Sequence, residues 1–236
     1  MKTVADKKVA VVNYSGNVGK TVVASQLLFP RFEGCEYYHV ETVNAGSDEG
    51  ETLSGNQFGE ILENIELSDS CVVDVGASNI EAFLTRMRSF KNSHDEIDYF
   101  IIPVTPSLKE LQDTESVIDY LLEMGIPEKK LKIVYNKIER SYNKPESELE
   151  FFKGTIVENY SKGKPAIIYN SEYYPMLQDA RKRHLDVIND TRDFNALKKA
   201  AETKDAKYAI ILEKKLYQAA LSAEEDLALA FANLKL

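Results

Sequence analysis

The chain has 236 residues, is 44% hydrophobic, lacks tryptophan and carries a formal net charge of −9. That length suits one large α/β domain with a helical extension over 193–236, and the negative balance argues against broad binding to nucleic acid or membrane surfaces. No run reaches the roughly 18 apolar residues of a membrane span, and Val9–Val12 is too short for an export signal, so a cytoplasmic, reducing setting is expected, with Cys35 and Cys71 as buried thiols.

Strand patterns run over Lys8–Tyr14, Tyr37–Val43, Ser70–Val75, Tyr99–Val104, Lys132–Asn136 and Pro165–Tyr169. They are continuous stretches of Val, Ile, Tyr and Phe, which fits strands buried on both faces of a parallel sheet. Helical patterns lie between them: Thr21–Phe29, stopped by Pro30; Phe58 to Ile65; Ile80 to Phe90; and Leu108 to Leu122, closed by Gly125 and Pro127. The alternation predicts an α/β fold, a doubly wound, mostly parallel sheet flanked by helices, with right-handed crossovers. Ser141–Glu150 is polar, carries Pro145 and reads as a loop and helix start. Beyond Asp193 two helices are expected, Ala201–Leu221 and Glu224–Leu234, with Ser222 and Glu225 spaced as a capping box.

The motif with the clearest chemistry is Ser15-Gly16-Asn17-Val18-Gly19-Lys20-Thr21, set between the first strand and the first helix. Gly16 and Gly19 keep side chains out of the way, so the N–H groups of the loop, from Ser15 through Asn17 and Val18 to Val22, can turn onto phosphate oxygens. The helix start adds its positive dipole end. Lys20 would contact the β- and γ-phosphates, and Thr21 would place its hydroxyl on Mg²⁺. Farther on, Val72-Val73-Asp74-Val75-Gly76 is an apolar strand ending in an acid. Asp74 there either holds Mg²⁺ through water or caps the helix after Ser78. Gly76 would let a backbone N–H approach the γ-phosphate.

Asn13-Tyr14 followed by that loop departs from the ordinary phosphate-loop pattern, since Tyr14 stands where a glycine is usual. The shorter Gly-x-x-Gly-Lys-Thr form is matched, and with it the chain resembles the ParA/MinD family of deviant Walker A ATPases, most of all the StbB-type plasmid stability proteins. The resemblance spans roughly residues 8–185. It implies a P-loop NTPase fold, ATP and Mg²⁺ as ligands, and a slow ATPase switch in plasmid stability, partition or conjugation. It also implies a DNA-binding adaptor as partner and a homodimer on ATP binding. The family's signature lysine would fall at Ser15, which carries no charge. The resemblance further implies a catalytic role for Glu41, in the strand end His39-Val40-Glu41-Thr42-Val43, beside Lys20 and Asp74. It implies that Asn136 reads the base edge, with the Lys137 stem against the ring. Glu139 is misplaced for pairing guanine, so ATP is favoured over GTP.

Arg181-Lys182-Arg183-His184, with Lys162 and Lys164, is the one dense basic patch, read either as a DNA contact or as a solvated helix face. His39, His94 and His184 show no metal spacing, and the tyrosines, among them Tyr37-Tyr38, read as half-buried packing. Two other readings stay open: a nucleotide-binding scaffold that does not hydrolyse, and a metabolic ATP-dependent ligase or kinase of the same fold. No membrane-targeting helix is expected.

Overall fold

Seven strands make one sheet in the order β3-β2-β4-β1-β5-β6-β7, and every neighbouring pair is parallel. They are β1 (Lys8–Val11), β2 (Glu36–Val40), β3 (Glu51–Leu53), β4 (Cys71–Val75), β5 (Tyr99–Val104), β6 (Leu131–Ile138) and β7 (Ile167–Tyr169). This computed structural model describes residues 6–41, 51–54, 56–141, 147–161 and 163–236; of Glu51 and Thr52 only the backbone is described. Six strands lie where the sequence pattern puts them. The seventh, β3, escapes it because three residues, Glu-Thr-Leu, carry no apolar run.

The helices of this unit are α1 (Lys20–Val22), α2 (Phe58–Leu67), α3 (Ile80–Ser89), α4 (Leu108–Glu123) and α5 (Ile156–Asn159). Side chains alternate across the sheet. Ala10 and Val12, Tyr38 and Val40, Val73 and Val75, and Ile102 and Val104 all face one core, with Phe58, Ile61, Phe83 and Val117 from α2, α3 and α4. The intervening residues, Val9, Val11, Tyr37, His39, Val72, Asp74 and Ile101, therefore share the opposite face.

On that face the expected helix Thr21–Phe29 is not uniform. α1 gives way to a π-helical stretch, Val23–Leu28, and then to a 3₁₀ turn, Phe29–Arg31, where Pro30 cannot continue the helix. Buried Arg31 closes it by donating to Gln26 O (2.9 Å) and Leu27 O (3.0 Å), satisfying carbonyls the helix end leaves over. Its guanidinium lies 5.7 Å from the centre of the Phe231 ring, which also meets Phe32 edge-on.

Contacts divide the chain into two units, one of 1–170 with Leu229–Leu236, the other Ser171–Ala228. The second holds α6 (Tyr173–Ala180), α7 (His184–Ile188), α8 (Phe194–Ala200) and most of α9 (Lys204–Leu234). Its core is Tyr173, Leu177, Val187, Leu216, Ala220 and Ala223. The two expected C-terminal helices are one. Ser222 sits mid-helix in an alanine-rich stretch with no Gly or Pro to break it, so the capping-box spacing caps nothing. Asp193 does cap a helix, α8, accepting from Asn195 N–H and Ala196 N–H. Cys35 and Cys71 are free thiols, and burial pushes both up to about 12.

Phe83 is fully buried and meets Phe58 at 5.3 Å. Phe83→Ala is expected to remove about 3–5 kcal/mol of unfolding free energy, read from the urea midpoint at unchanged slope.

Candidate functional site

The loop that leaves β1 crosses the carboxyl edge of the sheet, where open α/β sheets gather their ligands. β1 lies between β4 and β5, so the loop faces the strand ends carrying Asp74 on one side and Pro103 on the other. Asn13, fully buried, ties it down. Its Nδ2 donates to Pro103 O (2.9 Å) and Thr114 Oγ1 (2.8 Å), and its Oδ1 accepts from Ser15 N–H (2.8 Å). Tyr14 packs its ring against the main core.

Lys20 points back into the loop. It is 5% exposed, and its ammonium donates to Ser15 O (2.6 Å) and Asn13 O (3.1 Å). Burial pushes it down to about 8, against the opposing pull of Asp74 and, more weakly, Glu41. Gly19 is left-handed (φ +76°), and a Cβ there would lie 2.3 Å from Asn136 Nδ2. The helix it opens has no side-chain cap and no acid in its first turn, so its first N–H groups face outward without partners in the helix. Thr21 is exposed in that turn.

Asp74 is 1% exposed. The register pairs His39 with Asp74 across β2 and β4, which places Tyr37, His39 and Asp74 on one face. Tyr37 Oη donates to Asp74 Oδ2 (3.0 Å), and His39 Nε2 lies 3.6 Å from the same oxygen. His39 Nδ1 is buried without a hydrogen-bond partner, 3.9 Å from Glu41 Oε1. Sequence reasoning left Tyr37 as packing and His39 as isolated. The signal that finds them is parity, since residues two and four before Glu41 share its face. The Asp74 carboxylate caps no helix: α3 starts at Ile80 after Asn79, without a side-chain cap bond.

Three of the expected site residues make contacts within the protein. Asn136 turns to the loop: Nδ2 donates to Val18 O (2.7 Å) and Oδ1 accepts from Lys137 N–H (2.9 Å). Lys137, itself left-handed (φ +57°), extends its ammonium to Asn17 O (2.7 Å). Gly76 donates its N–H to Val40 O (2.9 Å). Its missing side chain makes room for Glu41, whose Cγ would lie 2.9 Å from a Cβ there. Glu41 is partly open to solvent. Val43 and the acids Asp48 and Glu49 lie outside the described residues, as does the side chain of Glu51.

In the second unit the basic patch is largely neutralised. Lys182 pairs with Glu213, Arg183 with Asp186, and His184 is buried between Tyr173 Oη and Glu224 Oε2 (3.0 Å). Lys164 belongs to the first unit, and Lys162 lies outside the described residues. Among the described residues no three His, Cys, Asp or Glu side chains form a metal cluster, and no helix is long and apolar enough to cross a membrane.

No family model matches the chain, and no curated protein matches it. Solved structures do. The MinD cell division protein of Aquifex aeolicus is 14% identical, with 90% of this chain and 97% of that one covered at a TM-score of 0.49. The septum site-determining protein MinD of Pyrococcus horikoshii, complexed with Mg-ADP, is 14% identical over 89% and 95%, at 0.47. A ParA family ATPase from Chlorobium tepidum is 14% identical over 91% and 98%, at 0.46. The structures this chain is similar to are thus MinD and ParA family proteins. Likeness at that level carries no assignment, and the site stands on its own residues.

The two loop glycines should separate cleanly. Gly19→Ala meets both a left-handed backbone and Asn136, and is expected to lower the melting temperature by about 4–8 °C. Gly16→Ala, whose nearest neighbour would be Ala77 Cβ at 3.8 Å, should leave it unchanged. Equal losses would mean the loop is built otherwise.

Proposed function

We propose that the chain is a ParA/MinD-type Mg-ATPase whose bound nucleotide switches its affinity for a partner. The observation that carries this reading is the buried Lys20 ammonium, held among the described residues by two main-chain carbonyls at an uncapped helix start, beside a buried acid. Those carbonyls are weak partners for a cation compared with phosphate oxygens. Lys20 can therefore exchange Asn13 O and Ser15 O for β- and γ-phosphate oxygens at little cost.

The residues present fit Mg²⁺ as well. Thr21 is exposed at the helix start, and Asp74 is buried with Tyr37 fixing one of its oxygens, leaving the other for a metal-bound water. When bound, Mg²⁺ would neutralise charge on the phosphate oxygens. The acid-free turn would cradle the phosphates, and Lys20 would offset charge growing on the γ-phosphate. Glu41, at the partly open strand end, would orient the attacking water through its carboxylate. Asn136 and Asn13 keep the loop from moving as the ammonium changes partners.

Ser15 bears on how fast such a reaction runs. Its hydroxyl accepts from Asn17 N–H (3.3 Å) and its side chain is buried, so it offers no charge to a second copy of the chain. The second ammonium at the loop is Lys137, from the same chain. This favours slow hydrolysis that does not depend on a lysine from a partner, and keeps a non-hydrolysing scaffold as the second reading. By its resemblance the process would be plasmid maintenance, positioning or conjugation, with a DNA-binding adaptor as partner.

Lys20→Ala is expected to abolish ATP binding by calorimetry while leaving the fold intact by circular dichroism; normal binding would end the assignment. Tyr37→Phe should leave metal-free ATP affinity alone and raise the Mg²⁺ concentration for half-maximal phosphate release about threefold to tenfold. An unchanged Mg²⁺ dependence would remove Asp74 from the metal.

A further inference from the structure

The amino edge of the same sheet carries a second concavity, far from the loop in strand direction. A pocket of about 420 Å³ opens where β6 begins, lined by Lys129, Lys132, Lys164, Lys235, Tyr160 and Asn233 among others. The strands are parallel, so this end is opposite the edge that holds Ser15–Thr21. All of its lining belongs to the first unit.

Its charge is one-sided. Four lysines line it against one acid, Glu128, in a chain whose net charge is −9. Among the described residues none of the four pairs with a carboxylate. Lys132 donates instead to Lys235 O (3.3 Å) and lies 5.0 Å from the centre of the Tyr99 ring, which Lys7 also approaches at 5.7 Å. Burial, and then the nearby Lys235 charge, push the Lys132 ammonium down. Lys235 is itself held in a left-handed backbone (φ +51°), with its ammonium 3.5 Å from where a Cβ would stand on Gly163. Lys132 is half-buried and Lys129, Lys164 and Lys235 are exposed; like charges gathered in a concavity repel one another until an anion enters.

The shape limits what that anion is. The volume is that of a small-molecule site, and a concave pocket encloses a ligand on several sides, whereas a duplex backbone lies on a ridge or open groove. Lysines are point charges suited to phosphate oxygens. Asn233, anchored through Nδ2 to Pro165 O (2.9 Å), leaves its carbonyl oxygen and the Tyr160 ring to contact the rest of the molecule. We infer that this pocket binds a small molecule carrying two or more phosphate groups, at a site separate from the nucleotide loop.

The test uses pyrophosphate as probe, titrated by calorimetry into full-length Lys20→Ala protein so that the loop does not compete. One site is expected. In that background Lys132→Gln and Lys235→Gln should each weaken binding about tenfold or more, while Lys198→Gln, exposed on α8, should not change it. Lys235 is exposed, so its variant remains informative if the Lys132 variant misfolds. Absent binding, or binding indifferent to both pocket lysines, overturns the inference. So does a 20-base-pair duplex that binds through these lysines where pyrophosphate does not, which would make the surface a nucleic-acid face.

Discussion

A buried ammonium that pairs with no carboxylate among the described residues organises the carboxyl edge of this sheet. Taking an ammonium out of water is costly unless its protons find acceptors, and for Lys20 Asn13 O and Ser15 O accept two of the three. The chain must therefore curl tightly enough to aim those carbonyls inward. Gly19 permits the curl with its left-handed backbone, and two asparagines hold it. Asn13 reaches Pro103 and Thr114 on one side, and Asn136 reaches Val18 from β6. The braces come from the β5 and β6 side. The side toward β2 and β4 is left to Asp74 and Glu41, whose charges pull the Lys20 proton back on. Cation and acids are thus divided across the loop by strand order alone.

Parity does the rest. In a parallel ladder with side chains alternating every residue, one register decides which groups meet. Pairing His39 with Asp74 sends Tyr37, His39 and Asp74 to the α1 face, while Tyr38, Val40, Val73 and Val75 pack the main core. A slip of one residue would bury the acid among Phe83 and Ile102 and expose valines to the loop. The hydrophobic demand of the core thus fixes the polar geometry of the site, and Gly76 completes it by leaving room for Glu41.

That logic explains what was legible in advance. The strands and the loop motif were readable because each is a local pattern: apolar runs bounded by Gly, Pro or charge, and a strand, Gly-x-x-Gly-Lys-Thr and helix in succession. Lys20 and Asp74 were expected from such patterns and Glu41 from the family resemblance, and the structure brings the three near one another. Tyr37 and His39 were not expected there, because their meaning lies in a partner strand more than thirty residues away. For Asn136 and Lys137 the sequence shows that an amide and an ammonium are near the loop, but not that they contact Val18 O and Asn17 O. The C-terminal break at Ser222 failed for a different reason. A capping box stabilises a helix start that already exists and does not create one inside an uninterrupted alanine-rich helix.

Ser15 shows why a missing charge need not mean a missing function. At the position where the resembling family carries a lysine, this chain has a buried hydroxyl turned onto Asn17 N–H. The next carbonyl along, Asn17 O, is where the Lys137 ammonium rests. The loop carries two ammoniums from its own chain, one inside and one outside, and under the proposed reading these would meet a triphosphate without borrowing charge from a second copy. The difference lies in what controls that charge. A lysine crossing from a partner ties nucleotide chemistry to dimer formation, whereas Lys137 is tied to the left-handed end of β6 and to Asn136, which braces the same loop. Control of the site then passes through the strand that carries both residues.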